Sequence, residues 1–246
     1  MIQVWLRNFL FFRKTFFVSL VWTVLEPLMY LVAIGFGLGR FVEQIEGLTF
    51  IDFYYSGLLA ATAMMVAYFE ATYPNYTKLT YQKTYAMMLL TPLTEKQVLL
   101  GEILWAATKG TIAICGVIAV SLLFGLFKYQ IFITLPVLFL VCWVFSAFGM
   151  VMISVARNYD TFVYSTSGII IPMSLLSGTY FSIQDLPVFF KGLAYLLPLT
   201  HGVALCRDII YRTLTWNSLI NFSVLMIYAI GLTWMAYRLF KRKLVS

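Results

Sequence analysis

Six apolar stretches, each long enough to cross a bilayer, leave this chain one solvent in which to fold. They fall near 15–39, 52–72, 99–127, 131–155, 161–181 and 216–239. A helix rises 1.5 Å per residue, so about 20 apolar residues cross a hydrocarbon core of about 30 Å. Of the 246 residues 62% are hydrophobic and 11% charged, with a mean hydropathy of +0.89. A soluble domain carries about a quarter charged residues, because its surface faces water. The expected fold is all-α and integral to the membrane, a single transmembrane domain over 1–246. The run from Phe16 to Leu38 is too long for a signal-peptide core, and no small-residue cleavage motif follows, so it is expected to stay attached.

The formal net charge of +7 reflects cations at the ends of the apolar stretches, not a nucleic-acid patch. One side holds Arg7, Arg13, Lys14, Lys78, Lys83, Lys96, Arg157, Arg238, Lys241, Arg242 and Lys243. The other holds Arg40, Lys128, Lys191, Arg207 and Arg212, and Lys109 lies inside a span. The positive-inside rule then puts both termini in the cytoplasm. The first outer loop is acidic, with Glu43, Glu46 and Asp52. Cys115, Cys142 and Cys206 have no CxxC spacing, so neither a disulfide framework nor a metal site is expected; only Cys206 falls near the outer face.

Three segments are more than spans or turns. In 1–14, Ile2, Trp5, Leu6, Phe9 and Leu10 recur at helical spacing. Such a helix lies flat at the interface, Trp5 down and Arg7 at the headgroups. The cytoplasmic stretch 73–98 contains a short amphipathic helix over 82–92, ended by Pro92, after which Thr94 and Gln97 read as a capping box. On the outer face, 183–212 is too interrupted to span and too apolar to be a free loop; a pair of short re-entrant or interfacial helices broken at Pro198 fits it.

Glu26, Glu70, Glu102 and Lys109 lie at or near membrane depth, where an unpartnered charge costs about 2.5–3.5 kcal/mol. Glu26 is the deepest, and Pro27 after it is a kink site. Glu102 and Lys109 share a helix face but lie two turns apart, so each needs a partner elsewhere. One reading is interhelical ion pairing with snorkelling; the other lets Glu26 and Lys109 line a translocation path. The lone His201, beside Pro198 and Gly202, reads as a hydrogen-bonded structural residue. There is no phosphate-loop motif and no nucleophile–base constellation, so no enzymatic activity is expected of this chain. Tyr54, Tyr55, Tyr68, Tyr73, Tyr76, Tyr81 and Tyr85 read as an interfacial belt, with a sugar-stacking lining as the alternative.

Three blocks carry a family resemblance. The first is Glu26-Pro27-Leu28 through Gly35-Phe36-Gly37-Leu38-Gly39, with Glu46-Gly47 and Phe50-Ile51. The second runs from Ser56-Gly57-Leu58 through Phe69-Glu70, Gln82-Lys83-Thr84 and Leu100-Gly101-Glu102 to Trp105-Ala106-Ala107-Thr108-Lys109. The third is Leu176-Ser177-Gly178-Thr179-Tyr180-Phe181 with Leu196-Leu197-Pro198-Leu199-Thr200-His201-Gly202. In order and over nearly the whole chain these resemble the permease subunits of type-2 ABC exporters, closest to the nodulation-factor (lipo-oligosaccharide) exporter permease family.

That resemblance implies a bacterial inner-membrane subunit that works as two permease copies with two ABC ATPase subunits, ATP and Mg being held by the ATPase. It implies that 1–14 is a gate helix and 82–92 a coupling helix, with Gln82, Lys83, Thr84, Tyr85, Met88 and Pro92 at the ATPase. It puts Trp5, Arg7, Glu26, Glu70, Glu102 and Lys109 at the gate and path, and Tyr180, Phe181, Pro198 and His201 on the exit side. The implied cargo is a lipid-linked oligosaccharide, polysaccharide or lipo-oligosaccharide. Export of a drug, antibiotic or lipid, an ion-coupled secondary transporter and a non-transporting assembly factor are the alternatives.

Overall fold

The computed structural model describes residues 1–42, 44–126 and 128–245; Glu43 of the first outer loop and Phe127 at the end of the third expected span lie outside them. The chain runs through α1 (Ile2–Lys14), α2 (Phe16–Tyr30, continued by a π turn over Leu31–Phe36) and a hairpin of β1 (Gln44–Ile45) and β2 (Leu48–Thr49). Next come α3 (Phe50–Thr80), α4 (Thr84–Leu89), α5 (Glu95–Ser121) and α6 (Gln130–Val155). Then follow α7 (Asp160–Ser165) and α8 (Ile171–Leu176), joined by a π turn over Thr166–Ile170. Last are α9 (Val188–Leu196), α10 (Pro198–Tyr211) and α11 (Trp216–Val245).

Among the described residues, five helical runs are long and apolar enough to cross a membrane: those beginning at Phe16, Phe50, Glu95, Gln130 and Trp216. The fifth expected span is the run 160–176, about 25 Å at the helical rise and so at the short limit for a span. It stops before residue 181 because Gly178 turns the backbone at φ 75°, and Arg207 takes the Gly178 carbonyl at 2.9 Å. α2 passes through Pro27 without ending, then widens into its π turn.

α3 is the mast of the bundle, buried along most of its apolar length. Its 31 residues reach about 46 Å, more than a hydrocarbon core requires. The span expected to end at residue 72 therefore continues through Pro74 to Thr80, and carries Asn75 and Lys78 out beyond the core. Close packing depends on small residues: a Cβ at Gly149 would sit 2.6 Å from the Ala71 Cβ on α3, and one at Gly110 2.6 Å from the Cys142 sulfur on α6. In the connection after α3, the short helix spans Thr84–Leu89 rather than 82–92, and a turn precedes Pro92. Thr94 and Gln97 form a reciprocal capping box at the start of α5.

α9 and α10 meet at an 85° bend at Leu197, with Pro198 opening α10, where its missing N–H costs nothing. The tyrosines do not form a belt. Tyr54, Tyr55, Tyr68, Tyr76 and Tyr85 are buried between helices, their bulk filling the bundle. Three of their hydroxyls tie elements together: Tyr55 to Ser121 at 2.7 Å, Tyr68 to Ser165, and Tyr76 to the Arg157 carbonyl at 2.7 Å.

Candidate functional site

α1 does not float on its apolar stripe. Ile2, Leu6 and Leu10 are exposed, the arrangement of a lipid-facing side. A second stripe, Val4, Asn8 and Phe12, is buried against the bundle. Gly101 makes that docking possible, since a Cβ there would lie 2.6 Å from the Val4 Cβ. Trp5 stacks on Phe9, both meet Trp105 edge-on, and the Trp5 indole N–H donates to Thr108 at 3.1 Å.

This docking turns Arg7 inward, away from the headgroup position the stripe implied. Arg7 donates to Glu102 Oε1 at 3.2 Å, Lys78 to Oε2 at 2.8 Å, and the Asn8 amide to Oε2 at 2.7 Å. Glu102 has no exposed surface at all. A buried carboxylate persists when its lone pairs are filled by charged donors, and here α1, α3 and α5 each supply part of that arrangement. Arg7 also donates to the Met88 sulfur on α4 at 3.7 Å. Tyr85, on the same short helix, is fully buried in one apolar cluster with Val4, Ile103 and Phe240. Burial pushes the Tyr85 phenol well above its ordinary range. The N-terminal helix and the short helix α4 are thus joined twice, through the Arg7–Met88 contact and through an apolar cluster.

One and two turns further along α5, Trp105 and Lys109 meet Glu70 of α3. The indole donates to Glu70 Oε1 at 2.7 Å and the ammonium to Oε2 at 2.6 Å. Between the two networks lies a cavity of about 480 Å³ under α1. Arg7, Lys78 and Lys109 line it, with Glu70 as the only acid among the described lining residues. Glu102 is behind the wall. Glu26 is not part of this constellation: it is exposed on α2 and has no hydrogen bond or ion pair among the described residues.

On α4 and its flanks, Gln82, Lys83 and Pro92 are exposed, and Thr84 donates to Gln82 at 3.3 Å. Lys83 adopts a left-handed φ of 52° that starts the helix at Thr84. Met87 and Leu90 point outward, Leu90 at 88% exposure.

At the opposite end, Tyr180 packs on Tyr54 and Phe181 is half-buried in the turn after α8. Pro198 is buried, and His201 bridges Asn221 of α11 at 2.7 Å and the Tyr195 carbonyl at 3.0 Å. The anchor there is Arg207, which the sequence placed only among the outer-side charges. Arg207 is 6% exposed, donating to Ser56 and to the Phe53 and Gly178 carbonyls, its guanidinium 3.6 Å from the Phe53 ring centroid. Leu199, Val203, Cys206 and Ile210 recur around it at helical spacing, a signal that this face of α10 turns inward. Cys206 is buried with it.

The sequence matches the ABC-2 type transporter family over residues 1–211. It is 33% identical over 245 residues to Nodulation protein J of Rhizobium leguminosarum bv. viciae, covering 99% of this chain and 95% of that protein. Identity to Nodulation protein J of Bradyrhizobium diazoefficiens is 34% over 244 residues, covering 98% and 93%. The inner membrane transport permease YadH of Escherichia coli K12 is 22% identical over 245 residues, covering 98% and 94%. A multi-pass helical bundle with this match over most of its length is a member of the ABC-2 type transporter family.

Proposed function

We propose that this chain is the permease subunit of an ATP-driven exporter that moves a lipo-oligosaccharide out across the bacterial inner membrane. Both termini are cytoplasmic in this reading, which the charge split supports. Two copies work with two ABC ATPase subunits that hold ATP and Mg. The run Phe16–Phe36, in which Glu26 is exposed, is largely uncovered and available to a second copy.

The observation that carries the reading is the cationic cavity under α1. A glycolipid of the inner leaflet would present its polar head at this depth, and the Arg7 and Lys109 N–H groups not used by Glu102 and Glu70 supply donors for its hydroxyls and anionic groups. The exposed tip of α4, with Lys83, Met87 and Leu90, supports docking of an ATPase. Motion imposed there would reach α1 through Met88–Arg7 and through Tyr85, and pass on to α5 through Arg7–Glu102.

The test is reconstitution of the permease with its ATPase in liposomes. ATP is expected to drive glycolipid to the opposite leaflet, and Lys83→Glu is expected to cut ATPase co-purification by at least tenfold. Movement driven by an ion gradient with no ATPase present would overturn the reading in favour of a secondary transporter. ATPase stimulation by apolar drugs but by no glycolipid would overturn the cargo.

A further inference from the structure

A second groove runs along the outside of the bundle where α5, α6 and α11 meet, enclosing about 1020 Å³. Its walls are apolar along most of their length, with Leu140 of α6 and Phe222, Met226 and Ile230 of α11. The polar atoms on its floor satisfy each other, the Trp143 indole donating to Thr233 at 3.0 Å. One end differs in kind. Lys96, Arg238 and Lys241 converge there, and among the described lining residues there is no acid. Among the described residues Lys96 and Lys241 have no ion pair, and Arg238 rests over the Trp234 ring at 4.9 Å.

From Phe222 to Arg238 is sixteen residues of α11, about 24 Å at the helical rise. One leaflet, half of a core of about 30 Å plus its headgroup layer, is about 20 Å deep. A molecule that fills the groove therefore needs an anionic head at one end and one leaflet's length of hydrocarbon behind it. We infer that the groove binds an anionic diacyl phospholipid, its phosphate held by Lys96, Arg238 and Lys241 and its chains along Leu140, Met226 and Ile230. A second copy meeting this groove face to face would set three cations against three, which disfavours it as the occupant. The inference rests on the basic end lying at a membrane surface, not on the export reading.

The full-length chain, delipidated in neutral detergent, is examined by native mass spectrometry with phosphatidylglycerol or phosphatidylcholine of identical chains. One phosphatidylglycerol per chain is expected to stay bound at least tenfold more tightly than phosphatidylcholine, with free glycerol phosphate unable to compete. Near an anionic surface each cation is worth about fivefold in affinity, so K96Q/R238Q/K241Q is expected to weaken binding about 100-fold. Arg242→Gln, outside the groove, is expected to leave it unchanged. Ile230→Trp, at an exposed wall position, is expected to weaken both lipids by crowding the chains. Equal retention of the two lipids by the native chain, or undiminished phosphatidylglycerol binding by the triple variant, would overturn the inference. So would a change in assembly mass in that variant with lipid binding intact, which would assign the groove to a protein contact.

Discussion

Each end of the bundle buries one charge, and the two are held in opposite ways. Glu102 is satisfied by the tips of three side chains, Arg7, Asn8 and Lys78, from two other helices. Arg207 is satisfied mainly by backbone, the Phe53 and Gly178 carbonyls, with the Ser56 hydroxyl and the face of Phe53 completing its shell. Side-chain tips can release and re-form without disturbing a helix. A guanidinium that grips main-chain carbonyls fixes α10 to α3 and to the turn after α8. The basic end is therefore built to shift as jointed parts, and the opposite end is built to hold.

The sharpest way to break this contrast is Arg207→Ala. It removes three charge-assisted hydrogen bonds and the stacking on Phe53, leaving Ser56 bonded only to the Phe53 carbonyl, and is expected to cost about 3–5 kcal/mol in thermal or denaturant unfolding of the purified chain. Lys at this position restores little, since one ammonium cannot fork to three acceptors. A loss under 1 kcal/mol would erase the difference between the ends. Glu102→Gln keeps the shape and removes the charge, so about 2–3 kcal/mol is expected by the same measurement, because Arg7 and Lys78 retain partial access to water.

Thr94→Ala removes the cap that starts α5 on the basic side and is expected to cost about 1 kcal/mol, with no effect on coupling. The smallest effect is in pH. Burial raises the Glu46 pKa, but hydrogen bonds from Ser182 and Arg212 and the charges of Arg207 and Arg212 outweigh it and hold the carboxyl below its ordinary 4.5. A depressed folded value stabilises above the ordinary value, and that stability is lost as pH falls from 4.5 through the folded value. Unfolding followed from pH 6 downward is expected to show this acid step, and Arg212→Gln to shrink it.

How far the sequence reading reached follows the range of the interactions. The apolar stretches and the Thr94–Gln97 box were legible because each is set within a few residues. So was the need of Glu102 and Lys109 for partners elsewhere, because their seven-residue spacing forbids a mutual pair. Which partners they take was not legible: Lys78 reaches Glu102 only because α3 runs eight residues past its apolar stretch, and Arg7 only because Gly101 admits α1. Arg207 was misread for a related reason. Its charge fits a loop, while the apolar residues around it mark a buried helix face that depends on the Phe53 carbonyl, more than a hundred positions away. The Glu46–Gly47 turn, with positive φ at both residues, passed as an acidic loop because its hairpin is only two residues to a strand.

The central claim is that the Arg7–Glu102 network passes motion of α4 and α1 on to α5. It is tested most directly by the ratio of glycolipid exported to ATP hydrolysed for the Glu102→Gln permease, reconstituted with its ATPase and compared with the Thr94→Ala control. ATPase activity within about twofold of native, with export at least tenfold lower, is the expected result. A native ratio in the Glu102→Gln complex would contradict it.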